Sequence, residues 1–154
     1  GLNQERLGHL TRGLYASPHY LAAAGTPQHP DELNQHAWID LLGSASDGLQ
    51  LTHPEHGQYT FNPPRSRLRV DLTALHIDAI ARSQGIGLLS HWLTAKREQH
   101  HPGELINCLP DWEPVPLPIT LLYAYGHQSR RTHALLEFLR SQVPAPWRTS
   151  AATV

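Results

Sequence analysis

A single cysteine, Cys108, stands in this chain, so an internal disulfide is excluded and a reducing compartment is expected. No apolar run approaches the roughly 20 residues that span a membrane. Neither sign of charge dominates: 12 Lys and Arg face 13 Asp and Glu, a formal net charge of −1. Such a balance leaves no electrostatic footprint for a nucleic acid duplex or an anionic membrane. No G-x-S-x-G elbow, phosphate-binding loop or dinucleotide fingerprint occurs, so the chain is not expected to be an enzyme. The first residues, Gly1-Leu2-Asn3-Gln4-Glu5, have no basic stretch, no apolar core of a signal peptide and no initiator methionine. The start therefore reads as a cut end, and the expected location is the cytoplasm.

What is present can build a core. Apolar residues make up 40% and charged residues 16%, outside the composition of disordered chains. Prolines cluster at 27–30, 63–64, 110–118 and 144–146 and punctuate the pattern. Leu10, Leu14, Tyr15 and Ala16 predict a strand over residues 10–17. Ser17-Pro18 reads as an N-cap followed by proline at the first helical position, opening a helix that Gly25 stops. A short helix is expected from Pro30, and strands over 38–42, 49–52, 58–61 and 68–70, with a Gly/Ser/Asp loop at 43–48. Asp71 is expected to cap a helix that buries Leu72, Leu75, Ala79 and Ile80 and ends at Gly85. A strand at 86–89 and a Ser90-capped helix at 91–99 follow, then strands at 105–109 and 119–125. The last helix, 129–141, is expected to bury Leu135, Leu136, Phe138 and Leu139. No structure is expected from Pro144 onward.

Strands alternating with helices argue for an α/β fold with mostly parallel pairing. The Pro-rich passage at 110–118 leads to a strand and helix that need another sheet. The expected organisation is two lobes: residues 1–36 and 117–143 in lobe one, 37–116 in lobe two, and 144–154 as a tail.

Two stretches go beyond composition. The first runs Ala16-Ser17-Pro18-His19-Tyr20-Leu21, Gly25-Thr26-Pro27, Pro30-Asp31-Glu32-Leu33 and His36. The second is Gly103-Glu104-Leu105, Leu109-Pro110-Asp111-Trp112-Glu113-Pro114 and Pro118-Ile119. Together with Ala81, Gly85-Ile86-Gly87 and the stretch from Ser129 to Leu139, they resemble, in order, the effector domain of LysR-type transcriptional regulators over residues 6–143. Ser90 departs from that pattern, which commonly has proline there, and His91-Trp92 follow.

The resemblance implies a two-lobed fold like that of type II periplasmic binding proteins, with Rossmann-like lobes. The first strand–helix–strand–helix of lobe one has no counterpart here, so lobe one is incomplete. It implies a ligand-sensing domain of a bacterial transcription factor, with no cofactor and a small-molecule effector between the lobes. Promoter DNA would be held only by a helix-turn-helix domain upstream, and the full-length protein would be a dimer or tetramer. A transport solute-binding protein of the same fold is the alternative. The residues expected to meet the effector are Ser17, Asp71, Leu72, Thr73, Gly85, Gly87 and Tyr123. Ser17 opens a helix whose free N–H groups suit an anion or carbonyl, although capping alone would also explain it. Gly85 and Gly87 flank a turn that needs positive φ or a close approach.

Other groups read as structural. The 12 histidines suggest metal clusters at His91, His100, His101 and Glu104, or at His53 and His56. They stand among loops with no cysteine pair and read as solvent-exposed. His76 reads as a core histidine, and Cys108, in phase with Ile106, as a small buried hydrophobe. Arg65, Arg67 and Arg69 alternate and read as a solvated strand face.

Overall fold

A computed structural model of the chain describes residues 1–43 and 48–148. Most of the expected loop at 43–48, and the end of the expected tail, lie outside the described residues. The chain divides into two units. One contains Gly1–Thr11 and the segment from Pro116 onward, and the other is Arg12–Val115.

The first unit is built on an antiparallel ribbon. Strand β1 (Leu2–Leu10) pairs with β10 (Leu117–Ala124) from Leu2 opposite Ala124 to Leu10 opposite Leu117, with a register shift between Arg6 and Gly8. β1 was not expected, because Asn3, Gln4, Glu5 and Arg6 hide any apolar alternation; pairing with β10 makes it a strand. Helix α4 (Arg130–Ser141) is tied to β1 by Arg140, whose Nε and Nη2 donate to the Glu5 carboxylate at 2.7–2.9 Å. Of its expected buried set only Leu136 is buried; Leu135, Phe138 and Leu139 are exposed. The tail from Pro144 forms a short helix, α5 (Ala145–Arg148), and the Trp147 carbonyl lies where a side chain at Gly8 would stand.

The second unit holds three small sheets. Strand β2 (Arg12–Ala16) is central, flanked by β7 (Gly87–Ser90) and β8 (Ile106–Asn107), both antiparallel to it. Strands β3 (Ile39–Leu41) and β6 (Leu68–Val70) pair in parallel, and a parallel bridge joins Trp38 to Ile86. The third sheet is β5 (Gly57–Phe61), β4 (Leu49–His53) and β9 (Glu113–Pro114), all antiparallel. The expectation of mostly parallel pairing is therefore overturned, because hairpins and the chain's entry and exit supply antiparallel neighbours. The lobe boundary at 36/37 shifts as well. β2, the following helix α1 (Pro18–Ala24) and the 3-10 helix Pro30–Gln35 belong to the second unit, because β2 is the centre strand of its sheet.

Helix α2 (Thr73–Ala81) packs on β3 and β7 differently from its apolar pattern. Its buried face is His76, Ile77 and Ile80, while Leu72 and Leu75 are exposed at 57% and 51%. His76 Nε2 lies 3.0 Å from the Ile39 carbonyl oxygen, and this bond sets the helix rotation. The cap position is Leu72 with no side-chain cap bond, so Asp71 is one residue too early to cap. The helix stops not at Gly85 but before Ser83, which takes the left-handed conformation at φ 67°. Helix α3 (His91–His100) starts as expected, with Ser90 Oγ accepting from the Leu93 amide at 3.2 Å. One core, around Leu14, Leu33, Leu51, Phe61 and Ile86, lies on one side of the central strand; a smaller one holds Ile39, Ile77, Ile80 and Leu89.

Candidate functional site

Strand directions divide the second unit into two ends. β3 runs parallel to β6 and to the start of β7, so Leu41, Val70 and Ser90 finish at one edge. Arg12 pairs with Ser90 and joins that edge; Tyr15 pairs with Gly87 toward the other. Open α/β sheets take ligands outside the carboxyl ends of their strands. The edge of Leu41, Val70 and Ser90 is therefore the candidate site, and it carries Asp71, Leu72, Thr73, His91 and Arg12.

The expected effector contacts do not converge there. Asp71, Leu72 and Thr73 are at this edge and exposed. Ser17 is at the far end: its Oγ accepts from the Tyr20 amide at 3.0 Å and lies 2.7 Å from Ser83 Oγ, beyond the last turn of α2. α2 has nine residues, so Thr73 and Ser17 are separated by about 13 Å of helix, at 1.5 Å per residue. Ser17 is buried and its hydroxyl is occupied by capping. Gly85 sits at the same far end. A Cβ there would run into the Ala37 carbonyl, which accepts from the Ile86 amide at 2.9 Å. Gly87 lies under α2, where a Cβ would meet Ile80 Cδ1, His76 Nε2 at 3.1 Å and the Ile39 oxygen at 3.2 Å. Both glycines permit close packing. Tyr123 is on β10, in the other unit.

Polar groups not anticipated from sequence lie near this edge. The Tyr15 hydroxyl lies 2.6 Å from His91 Nδ1, and His91 Nε2 lies 3.4 Å from Glu113 Oε1. Tyr15, His91, Thr94 and Glu98 line a pocket of about 230 Å3. Burial raises the Tyr15 pKa, so its phenol stays protonated at neutral pH. Arg12 reaches across with Nη2 to the Val115 carbonyl at 2.8 Å. The signal for Arg12 was legible: it is in phase with Leu14 and Ala16, a charge at an inward position of a strand.

The remaining candidates are structural. Cys108 is buried under a pocket of about 310 Å3 that Trp112 and His53 also line. Burial pushes its thiol up to about 12, and Sγ donates to the Leu14 carbonyl at 3.2 Å, so it is no thiolate nucleophile. Among the described residues no group of three or more His, Cys, Asp or Glu is arranged to hold a metal ion. The His53 and His56 rings lie tilted at 4.4 Å beside Trp112, and His53 Nδ1 accepts two turn amides. Arg69 donates to Asp40 at 3.0 Å, and no helix among the described residues is long and apolar enough to cross a membrane.

Small mixed sheets with helices between their strands, divided into two units, define an α/β domain of the two-lobed, periplasmic-binding-protein-like class. The chain matches the LysR substrate binding domain over residues 1–144 and belongs to that family. It is 40% identical over 148 residues to the iron-regulated virulence regulatory protein IrgB of Vibrio cholerae, covering 96% of this chain and 50% of that protein. The full-length structure of AphB, a Vibrio cholerae virulence activator, superposes with a TM-score of 0.79 at 25% identity, over 92% of this chain and 48% of that one. The regulatory domain of CrgA from Neisseria meningitidis shares the fold, with a TM-score of 0.70 at 24% identity, over 93% of this chain and 70% of that one. The chain spans about half the length of the curated relatives it matches. These relatives are transcription regulators, which favours a regulatory ligand-sensing domain over a transport solute-binding protein.

Proposed function

We propose that the chain is the effector-sensing part of a DNA-binding transcription regulator that works in the cytoplasm and performs no chemistry. The observation that carries this reading is the family match over residues 1–144. A small effector would bind at the edge formed by Arg12, Asp71–Thr73 and His91. Its binding would favour one arrangement of the domain over another and so change how the full-length protein holds promoter DNA. The full-length protein would act as a homo-oligomer, and DNA contact would belong to residues outside this chain, whose net charge is −1.

The test is a screen of small organic acids by thermal unfolding of the full-length regulator, with promoter binding by mobility shift in parallel. An effector should raise the melting temperature as RT ln(1 + [L]/Kd) requires and also change DNA affinity. Thr73→Ala should weaken that response if the exposed α2 start is a contact. A full-length protein that binds no DNA, or whose DNA affinity no ligand alters, would overturn the reading.

A further inference from the structure

Three arginines of the described residues are held by carboxylates: Arg69 by Asp40, Arg97 by Asp78 and Glu104, and Arg140 by Glu5 and Glu137. Arg12 is different. It is only 9% exposed, Nη2 donates to the Val115 carbonyl, and its Nε is buried with no hydrogen-bond partner. Burial lowers its pKa, and no acidic side chain acts on it to offset that. A guanidinium does not release its proton in a protein, so it keeps its charge here. A buried charge without a counter-ion is costly, and so is a buried donor without an acceptor. Arg12 carries both costs. Nothing in the packing of β2 requires a charge at this position, since its inward neighbours Leu14 and Ala16 are apolar. The residue stands at the candidate edge, opposite Ser90. Among the described residues its guanidinium bonds Val115, which is 48% exposed, so solvent lies close by.

We infer that Arg12 anchors the anionic group of the effector, and that this group is a carboxylate. The inference rests on the effector-sensing reading above and adds the ligand class to it. A carboxylate matches a guanidinium in charge, and its two oxygens fit two parallel N–H donors. It would give Nε an acceptor and Arg12 a counter-charge in one step.

The experiment uses the full-length regulator with sodium benzoate as probe, benzamide as its uncharged counterpart and inorganic phosphate as a second anion. Binding is read by calorimetric titration and thermal unfolding, in the wild type, Arg12→Lys and Arg12→Met. Benzoate should bind saturably and benzamide should not. Arg12→Met should lower benzoate affinity by about tenfold or more, the scale of a lost charge-assisted hydrogen bond, and Arg12→Lys by less. Without ligand, Arg12→Met should melt no lower than the wild type, because an uncompensated charge is removed and the Val115 carbonyl can take water. A merely structural Arg12 gives the opposite: a lower melting temperature in Arg12→Met and unchanged benzoate affinity in Arg12→Lys. Phosphate binding that depends on Arg12 while benzoate binding does not would overturn the carboxylate. A wild type that binds none of the anions would overturn the inference itself. The regulator reading then still stands or falls by its promoter-binding test.

Discussion

His76 shows how one side chain can tie stability to pH. It is buried, and its neutral imidazole donates from Nε2 to the Ile39 carbonyl. Burial lowers its pKa below the ordinary 6.5, offset in part by the Ile39 carbonyl and by Asp40. His36, bonded to the Tyr20 hydroxyl at 2.9 Å, is lowered for the same reason. A group whose folded pKa is depressed binds protons more readily when unfolded. Its stabilisation is therefore complete above the unfolded pKa and is lost as pH falls through the folded one. Melting temperature should drop as pH falls below about 6.5, the ordinary histidine range. His76→Gln, which keeps a donor but cannot titrate, should flatten that slope. A slope unchanged in His76→Gln would mean other groups set it.

At the scale of elements, the register of β3, β7 and α2 depends on two missing side chains. Gly85 lets its backbone lie against the Ala37 carbonyl, and Gly87 lets α2 settle on β7 through Ile80 and His76. The contact at Gly85 is with backbone, the Ala37 oxygen, and the one at Gly87 is with the end of Ile80, a fully buried side chain. Overpacking a tight core typically costs about 1–3 kcal/mol, so Gly85→Ala and Gly87→Ala should each lose that much or more in urea unfolding. Gly85→Ala should be the worse, because backbone cannot rotate away as an isoleucine methyl can. Ser90→Ala removes only a cap bond and should cost about 1 kcal/mol. If the two alanine variants matched wild type, the close approach at Ala37 and Ile80 would not be what holds these elements.

For the whole molecule, the exposed apolar surface of the first unit is the main consequence. Leu135 and Phe138 on α4 are 55% and 59% exposed, and Leu2, Leu122 and Tyr125 on or beside the ribbon are exposed as well. A two-stranded ribbon also leaves both outer edges unpaired among the described residues. Apolar patches and free edges favour association. The 154-residue chain by itself should therefore associate with further copies, seen as a rise in sedimentation coefficient with concentration. Phe138→Glu should reduce it. A monomer at all concentrations with one cooperative unfolding transition would show that these faces are satisfied within the chain.

Local chemistry was enough for several features. Ser17-Pro18 with Gly25 bounded α1, Ser90 opened α3, the last helix began where expected, after Ser129, and the strands expected at 49–52 and 58–61 are the antiparallel pair β4 and β5. Caps and turns depend on neighbours in sequence, so they can be read there. The ordered signatures from Ala16 to Leu139 likewise sufficed for the family. Only the tertiary structure decided what depends on distant partners. β1 is a strand because β10 lies beside it, and β2 moved the lobe boundary because β7 and β8 close on it. His76 is in the core as its place on the helix suggested, but its bond to the Ile39 carbonyl turned Ile77 inward with it and left Leu72 and Leu75 exposed, against their apolar pattern. Ser17 and Thr73 share a motif logic but stand at opposite ends of one helix. The inward phase of Arg12 is written in the strand, but only the packing around its guanidinium left it without a counter-charge.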